Sequence, residues 1–139
     1  MTFLLDTNIC IYALKQNQVV LGRLLAERPI DVCLSVITEA ELRTGAAKSS
    51  SSARTMRLLA NFLRPLTVLD FTSDDARAYA TVRAKLEQGG TPIGPLDTLI
   101  AAQAVARKLT LVSNNEREFK RIVGLRIQNW LQPNAGPAT

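Results

Sequence analysis

A three-layer α/β/α sandwich around a parallel central sheet is the fold class that this sequence predicts. Three observations carry that expectation. Short apolar runs recur at 2–6, 31–35, 66–70 and 109–113, as strands buried on both faces require. Stretches with helical spacing separate them, so strands alternate with helices along the chain. The 139 residues are 47% hydrophobic, enough for one domain with a core that needs no disulfide staples.

Each element has its own reason. "TFLLD" (2–6) is an apolar run ending on an acid, the first strand. "TNICIYALKQ" follows with Ile9, Tyr12 and Ala13 at helical spacing, and "VVLGRLLAE" (19–27) is a second helix stopped by Pro29. "DVCLS" (31–35) is the second strand and "ITEAELRTGAA" (37–47) the next helix. "SSSS" (49–52) breaks a helical hairpin, and its last serine is placed to cap "ARTMRLLANFL" (53–63). "LTVLD" (66–70) is the third strand. Ser73 followed by Asp74 and Asp75 starts a helix, a capping residue and two acids against the helix dipole, which ends at Gly89-Gly90. After the loop "GTPIGP", Pro95 opens a helix that carries Asp97 in its first turn and runs to about Lys108. "LTLVS" (109–113) is the fourth strand, "NEREFKRI" a short helix, and "GLRIQNW" (124–130) an edge strand. Residues 1–131 read as one domain and 132–139, "QPNAGPAT", as a flexible tail.

Composition narrows the chemistry. There is no histidine, which excludes Ser-His-Asp and Cys-His catalysis and histidine metal sites. Seventeen Lys and Arg, twelve of them Arg, oppose twelve Asp and Glu, a balance of +5 compatible with nucleic acid. Cys10 and Cys33 sit in apolar runs and read as buried free thiols, pointing to a reducing compartment. No signal peptide and no bilayer-spanning run is apparent, so a cytoplasmic protein without a membrane segment is expected.

In a doubly covered parallel sheet, ligands gather beyond the carboxyl ends of the strands. Asp6 ends the first strand. Glu41 lies in the helix after the second, Asp97 in the first turn of the helix before the fourth, and Ser113, Asn115 and Glu118 follow the fourth. Carboxylates gathered at one edge repel, and a hard divalent cation relieves this, because Mg²⁺ or Mn²⁺ takes oxygen ligands and keeps several waters. Such a site is completed by substrate phosphate, which points to phosphoryl chemistry. Each acid also has a purely structural reading. Asp6-Thr7-Asn8 suits a helix cap, Thr38-x-x-Glu41 matches a capping box, and Asp97 suits a helix dipole. The functional case rests on their joint placement.

"LLDTNICIYALK", "SVITEAELRTGA" (35–46), "PIGPLDTLIAAQA" (92–104) and "LVSNNEREFKRI" (111–122), in that order and spacing, resemble the PIN-domain ribonucleases, and within them the VapC toxins of bacterial toxin–antitoxin pairs. The resemblance covers nearly the whole chain. It implies a PIN-like fold and an Mg²⁺- or Mn²⁺-dependent endoribonuclease with Asp6, Glu41 and Asp97 as catalytic, metal-binding acids. Many relatives carry an Asp where this chain has Asn115, so Asn115 or Glu118 is the candidate for the fourth position. Thr7, Asn8 and Ser113 match supporting polar positions, and Arg43 and Arg117 flank the motifs as candidate RNA contacts. The resemblance further implies a homodimer, a cognate VapB-type antitoxin, and an RNA substrate such as the anticodon stem–loop of initiator tRNA. Helices 19–27 and 53–63 offer apolar surfaces for the antitoxin at Leu24, Leu25, Leu58, Leu59 and Phe62.

Two other readings stay open, the first of the same α/β/α class. An aspartyl phosphatase wants Asp-x-Asp after the first strand, where position 8 is Asn, and a receiver domain would use Asp70 but lacks the acid pair. A non-enzymatic interaction module would keep the acids as caps and bind no Mg²⁺.

Overall fold

The computed structural model describes residues 1–132. Beyond Gln132, the tail assigned to 132–139 lies outside the described residues. The chain runs β1 (Phe3–Leu5), α1 (Thr7–Leu14), α2 (Gln18–Leu25), a single 3-10 turn (Pro29–Asp31), β2 (Val32–Ser35), α3 (Val36–Lys48), α4 (Ser52–Leu63), β3 (Thr67–Leu69), α5 (Ser73–Gln88), α6 (Pro95–Arg107), β4 (Thr110–Val112), α7 (Glu116–Phe119) and β5 (Arg126–Gln128). Each expected strand and helix is present, with strand ends trimmed by a residue or more.

The sheet order is β3-β2-β1-β4-β5 and every neighbouring pair is parallel. Leu4 in β1 pairs with Cys33 on one side and Leu111 on the other. Residues alternate between two cores. Leu4, Cys33, Leu69 and Leu111 join the core against α5, α6 and α7. Leu5, Val32, Leu34 and Val112 join the core against α1, α2, α3 and α4, where Trp130 is fully buried and meets Phe3 edge to face at 5.3 Å. Two apolar faces on one short sheet make the three layers.

Three helix starts differ from expectation. Ser52 is the first helical residue of α4 rather than its cap, and Ser51 before it makes no capping bond. At α5 the cap is Thr72, not Ser73, and the Thr72 hydroxyl and Asp75 carboxylate form a reciprocal capping box. Asp75 is buried and also binds Arg107 and Gln103 of α6, so an acid read as a dipole partner instead clasps two helices. At α3 the cap is Ser35, one turn before Thr38, because its hydroxyl oxygen accepts from the Ile37 amide. Thr38 therefore lies inside the helix, and the Thr38–Glu41 capping box does not form.

Both cysteines are buried free thiols, as expected, and burial pushes Cys33 up to about 11 and Cys10 well above its ordinary value. No described helix is long and apolar enough to cross a membrane.

Candidate active site

The strand order reverses at β1. The chain builds outward through β2 and β3, then crosses to β4 on the other side of β1. A crevice is forced open where two crossovers leave in opposite directions, beyond the carboxyl ends of β1 and β4. Asp6 follows β1 and Ser113 follows β4, so both stand at that crevice.

Asp6 is 3% exposed and its backbone is extended. Its amide donates to the Val112 carbonyl, which ties the end of β1 to β4. Its Oδ1 accepts from the Ile9 amide at 2.9 Å, so Asp6 itself caps α1, rather than Thr7 or Asn8. Burial pushes its carboxyl up to about 6. The Ser113 hydroxyl and the Ile9 amide pull it down, and the charges of Asp97 and Glu41 push it up again.

Glu41 is half-buried on the second turn of α3. The Thr7 hydroxyl donates to its Oε1 at 2.6 Å, and the buried Thr38 hydroxyl lies 3.2 Å from Thr7. One hydroxyl proton serves one strong bond, and the shorter contact takes it. Thr38 thus backs Thr7, which holds Glu41. The T-x-x-E spacing was visible in the sequence, but it signals support through Thr7 of another helix rather than a cap.

Asp97 is half-buried in the first turn of α6. Gly94 caps that helix without a side-chain bond, and a Cβ built there would sit 3.7 Å from the Asp97 carboxylate. The Asp97 carboxyl is raised by burial, then by the charges of Glu41 and Glu118. Asn115 donates its amide N–H to the Ser113 hydroxyl at 2.9 Å and its side-chain N–H to Glu118 Oε2 at 2.8 Å. The two candidates for the fourth position are thus bonded to each other, and Glu118 is the one whose charge reaches Asp97.

The remaining candidates fall outside this set. Asn8 is exposed. Arg43 is bound to Glu39 at 2.6 Å, and Arg117 is exposed on α7. Asp70 follows the edge strand β3, its carbonyl accepting from Gln103 and Arg107. Of the apolar surface residues, Leu59 is core (1% exposed), Leu24 and Phe62 are half-buried, and Leu25 and Leu58 are exposed.

Among the described residues, Asp6, Glu41 and Asp97 make no ion pair. No group of three acids, cysteines or histidines among the described residues closes to the reach of one bare cation. The donor set is oxygen-only and mutually repelling. It suits a hydrated cation bound by few carboxylates, the habit of Mg²⁺, and not a fully caged one. Beside it a groove of about 420 Å³ runs between α1, α3 and α4, lined by Glu41, Ile11, Leu14, Leu42, Thr55 and Leu58.

Comparison with known proteins agrees with the fold. The family profile of the PIN domain matches residues 3–125. A curated relative, the tRNA(fMet)-specific endonuclease VapC of Salmonella typhimurium, is 40% identical over 128 residues, 92% of this chain and 97% of that protein. Among solved structures, the DNA-bound VapBC complex of the same organism superposes with a TM-score of 0.90 at 40% identity, covering 94% of this chain and 98% of that one. The VapBC2 complex of Rickettsia felis bound to a promoter DNA fragment gives 0.86 at 40% identity, covering 94% and 99%.

Proposed function

The chain belongs to the PIN-domain family, among the VapC ribonucleases, and from that premise we propose that it is a divalent-metal-dependent endoribonuclease toxin. The observation that supports this most is the gathering of Asp6, Glu41 and Asp97 at the sheet's switch point without an ion-pair partner among the described residues. Asp6 and Asp97 would hold Mg²⁺ or Mn²⁺. When bound, the cation lowers the pKa of a bound water and offsets charge on the scissile phosphate. Thr7 occupies Oε1 of Glu41, which leaves Oε2 to accept a hydrogen bond from the attacking water. Glu118, held by Asn115, supplies the fourth charge, and Ser113 steadies Asp6. The nuclease unit is residues 1–131.

A VapB-type antitoxin is the expected inhibitor, since the chain's structural relatives are VapBC complexes. The groove with Glu41 at its edge suits an apolar segment that also blocks the acids. A second hollow holds Leu24, Leu25 and Phe62. The active form we propose is a homodimer, and the substrate a structured RNA, with initiator tRNA the first to try given the name of the Salmonella relative.

Sequencing RNA ends after brief expression tests the mechanism. Water attack needs no 2′-hydroxyl, so products should carry 5′-phosphate and 3′-hydroxyl ends, and EDTA should stop cleavage. Cyclic phosphate ends, or full activity in EDTA, would overturn it. Release of phosphate from a small phosphoester would favour a phosphatase instead.

A further inference from the structure

The positive charge of this chain is concentrated in one place. From Leu42 to Leu69 there is no Asp or Glu, while Arg43, Lys48, Arg54, Arg57 and Arg64 fall in that stretch. Those five equal the whole net charge of +5; in the rest of the chain twelve cations meet twelve acids. The stretch is the α3–α4 hairpin and the strand that follows it.

On α4 the charges share a face. Leu59 is buried, Thr55, Met56, Phe62 and Leu63 are half-buried, and Arg54, Arg57, Asn61 and Arg64 are exposed. Their spacing of three, four and three residues puts them in one stripe along the helix. At 1.5 Å per residue it extends about 15 Å. Among the described residues none of the three arginines makes an ion pair, whereas Arg28, Arg43, Arg77, Arg83 and Arg107 each bind an acid. Thr55, Leu58 and Leu59 line the groove that Glu41 also lines, so α4 forms a wall of that groove on one side and carries the stripe on its outer face. Lys48, the last residue of α3, adds a cation at the hairpin turn.

We propose that the exposed face of α4, Arg54, Arg57, Asn61 and Arg64 with Lys48 at the turn, is a docking surface for the RNA phosphate backbone. This rests on the ribonuclease reading. It commits the face to a polyanion because an exposed row of unpaired guanidiniums is complementary to phosphates and because the acid pocket alone would repel them. Backbone contacts of this kind fix register without reading sequence, so the stripe would set where the RNA lies across Glu41 and not which base is cut.

The test is binding of total tRNA to the full chain carrying Asp97→Asn, so that nothing is cleaved, across a salt series. Added Arg54→Gln, Arg57→Gln and Arg64→Gln together should weaken binding tenfold or more at low salt. They should also lower the salt slope by about 2, since each lost phosphate contact removes about 0.7–0.9. In the active chain the same triple should raise KM while kcat holds. A second triple, Lys85→Gln, Lys108→Gln and Lys120→Gln, removes the same charge elsewhere and should leave the slope nearly unchanged. Equal losses in both triples would mean that net charge alone holds the RNA, and would overturn the proposal. So would an α4 triple that binds as its parent does; should that triple misfold, the single variants carry the test, each lowering the slope by about 0.7–0.9 or overturning the proposal if none does. If the parent binds no RNA at any salt, the ribonuclease reading fails as well.

Discussion

Replacing Asp6 by Asn should make the metal-free protein more stable at neutral pH, not less. The side chain is 3% exposed, and its Oδ1 caps α1 through the Ile9 amide. Asn keeps that acceptor and nearly the same volume but carries no charge. In the unfolded chain the Asp6 carboxyl gives up its proton near 3.8; in the folded protein it holds it until about 6. Between those values the native state binds more protons, so this group's contribution to stability falls as pH rises through the window. The gap is about 2 units, each worth about 1.36 kcal/mol, so wild type gives up as much as about 3 kcal/mol by pH 7.5 and almost nothing below pH 3.8.

Asp6→Asn escapes that loss. Unfolding entropy of about 2.1 cal/mol/K per residue converts each kcal/mol into about 3 °C for a chain of 139 residues, so the midpoint should rise by up to about 10 °C. The assay is urea and thermal unfolding of both proteins in EDTA at pH 7.5 and pH 3.5, then in Mg²⁺ at pH 7.5. The variant's advantage should appear at pH 7.5, vanish at pH 3.5, and shrink when Mg²⁺ stabilises the wild type alone. A variant less stable than wild type at pH 7.5 in EDTA would refute the reasoning, as would an equal difference at both pH values.

Other outcomes follow from the same contacts. Asp97→Asn should abolish RNA cleavage while far-UV circular dichroism stays unchanged, because Asp97 is only half-buried and makes no ion pair among the described residues. Thr7→Val removes the donor to Glu41 and should slow single-turnover cleavage about 10–100-fold, with Thr7→Ser recovering most of it. Asp75→Ala should cost about 1–3 kcal/mol in urea unfolding, since it removes the α5 capping box and the bonds to Arg107 and Gln103, both of which keep the Asp70 carbonyl. Burial pushes the Asp75 carboxyl up, but Arg107 and Thr72 outweigh it and hold the group below its ordinary value. Its stabilisation should therefore be complete at neutral pH and fade only as pH falls below the usual carboxylate range.

The fold was legible because its strands are short and apolar on both faces. "FLL", "VCLS" and "TLV" need no alternation when helices cover each side, and the helices between them leave one class of arrangement. Sequence could not show the order β3-β2-β1-β4-β5, which depends on where each crossover lands. Helix starts were legible only to within a turn. Thr72 stands beside Ser73, Ser51 beside Ser52, and Ser35 one turn before Thr38, residues alike in capping chemistry, and the local backbone decides where each helix begins. The Asp75–Arg107 clasp joins residues 32 apart and leaves no local pattern.

The candidate site was legible because, with no histidine and both cysteines buried in the core, oxygen ligands were the ones left on offer. A gathering of acids at a parallel edge then leaves few chemistries, and the charges of Glu41 and Asp97 do reach Asp6. What the sequence posed as alternatives, cap or ligand, the structure joins in one residue. Asp6 spends Oδ1 on the Ile9 amide, and that bond pins the carboxylate at the end of β1. A free aspartate would swing into solvent and keep an ordinary pKa. Capping holds it buried within reach of the charges of Asp97 and Glu41, and on the proposed reading that confinement, more than the count of acids, would make a cation the natural relief of its charge.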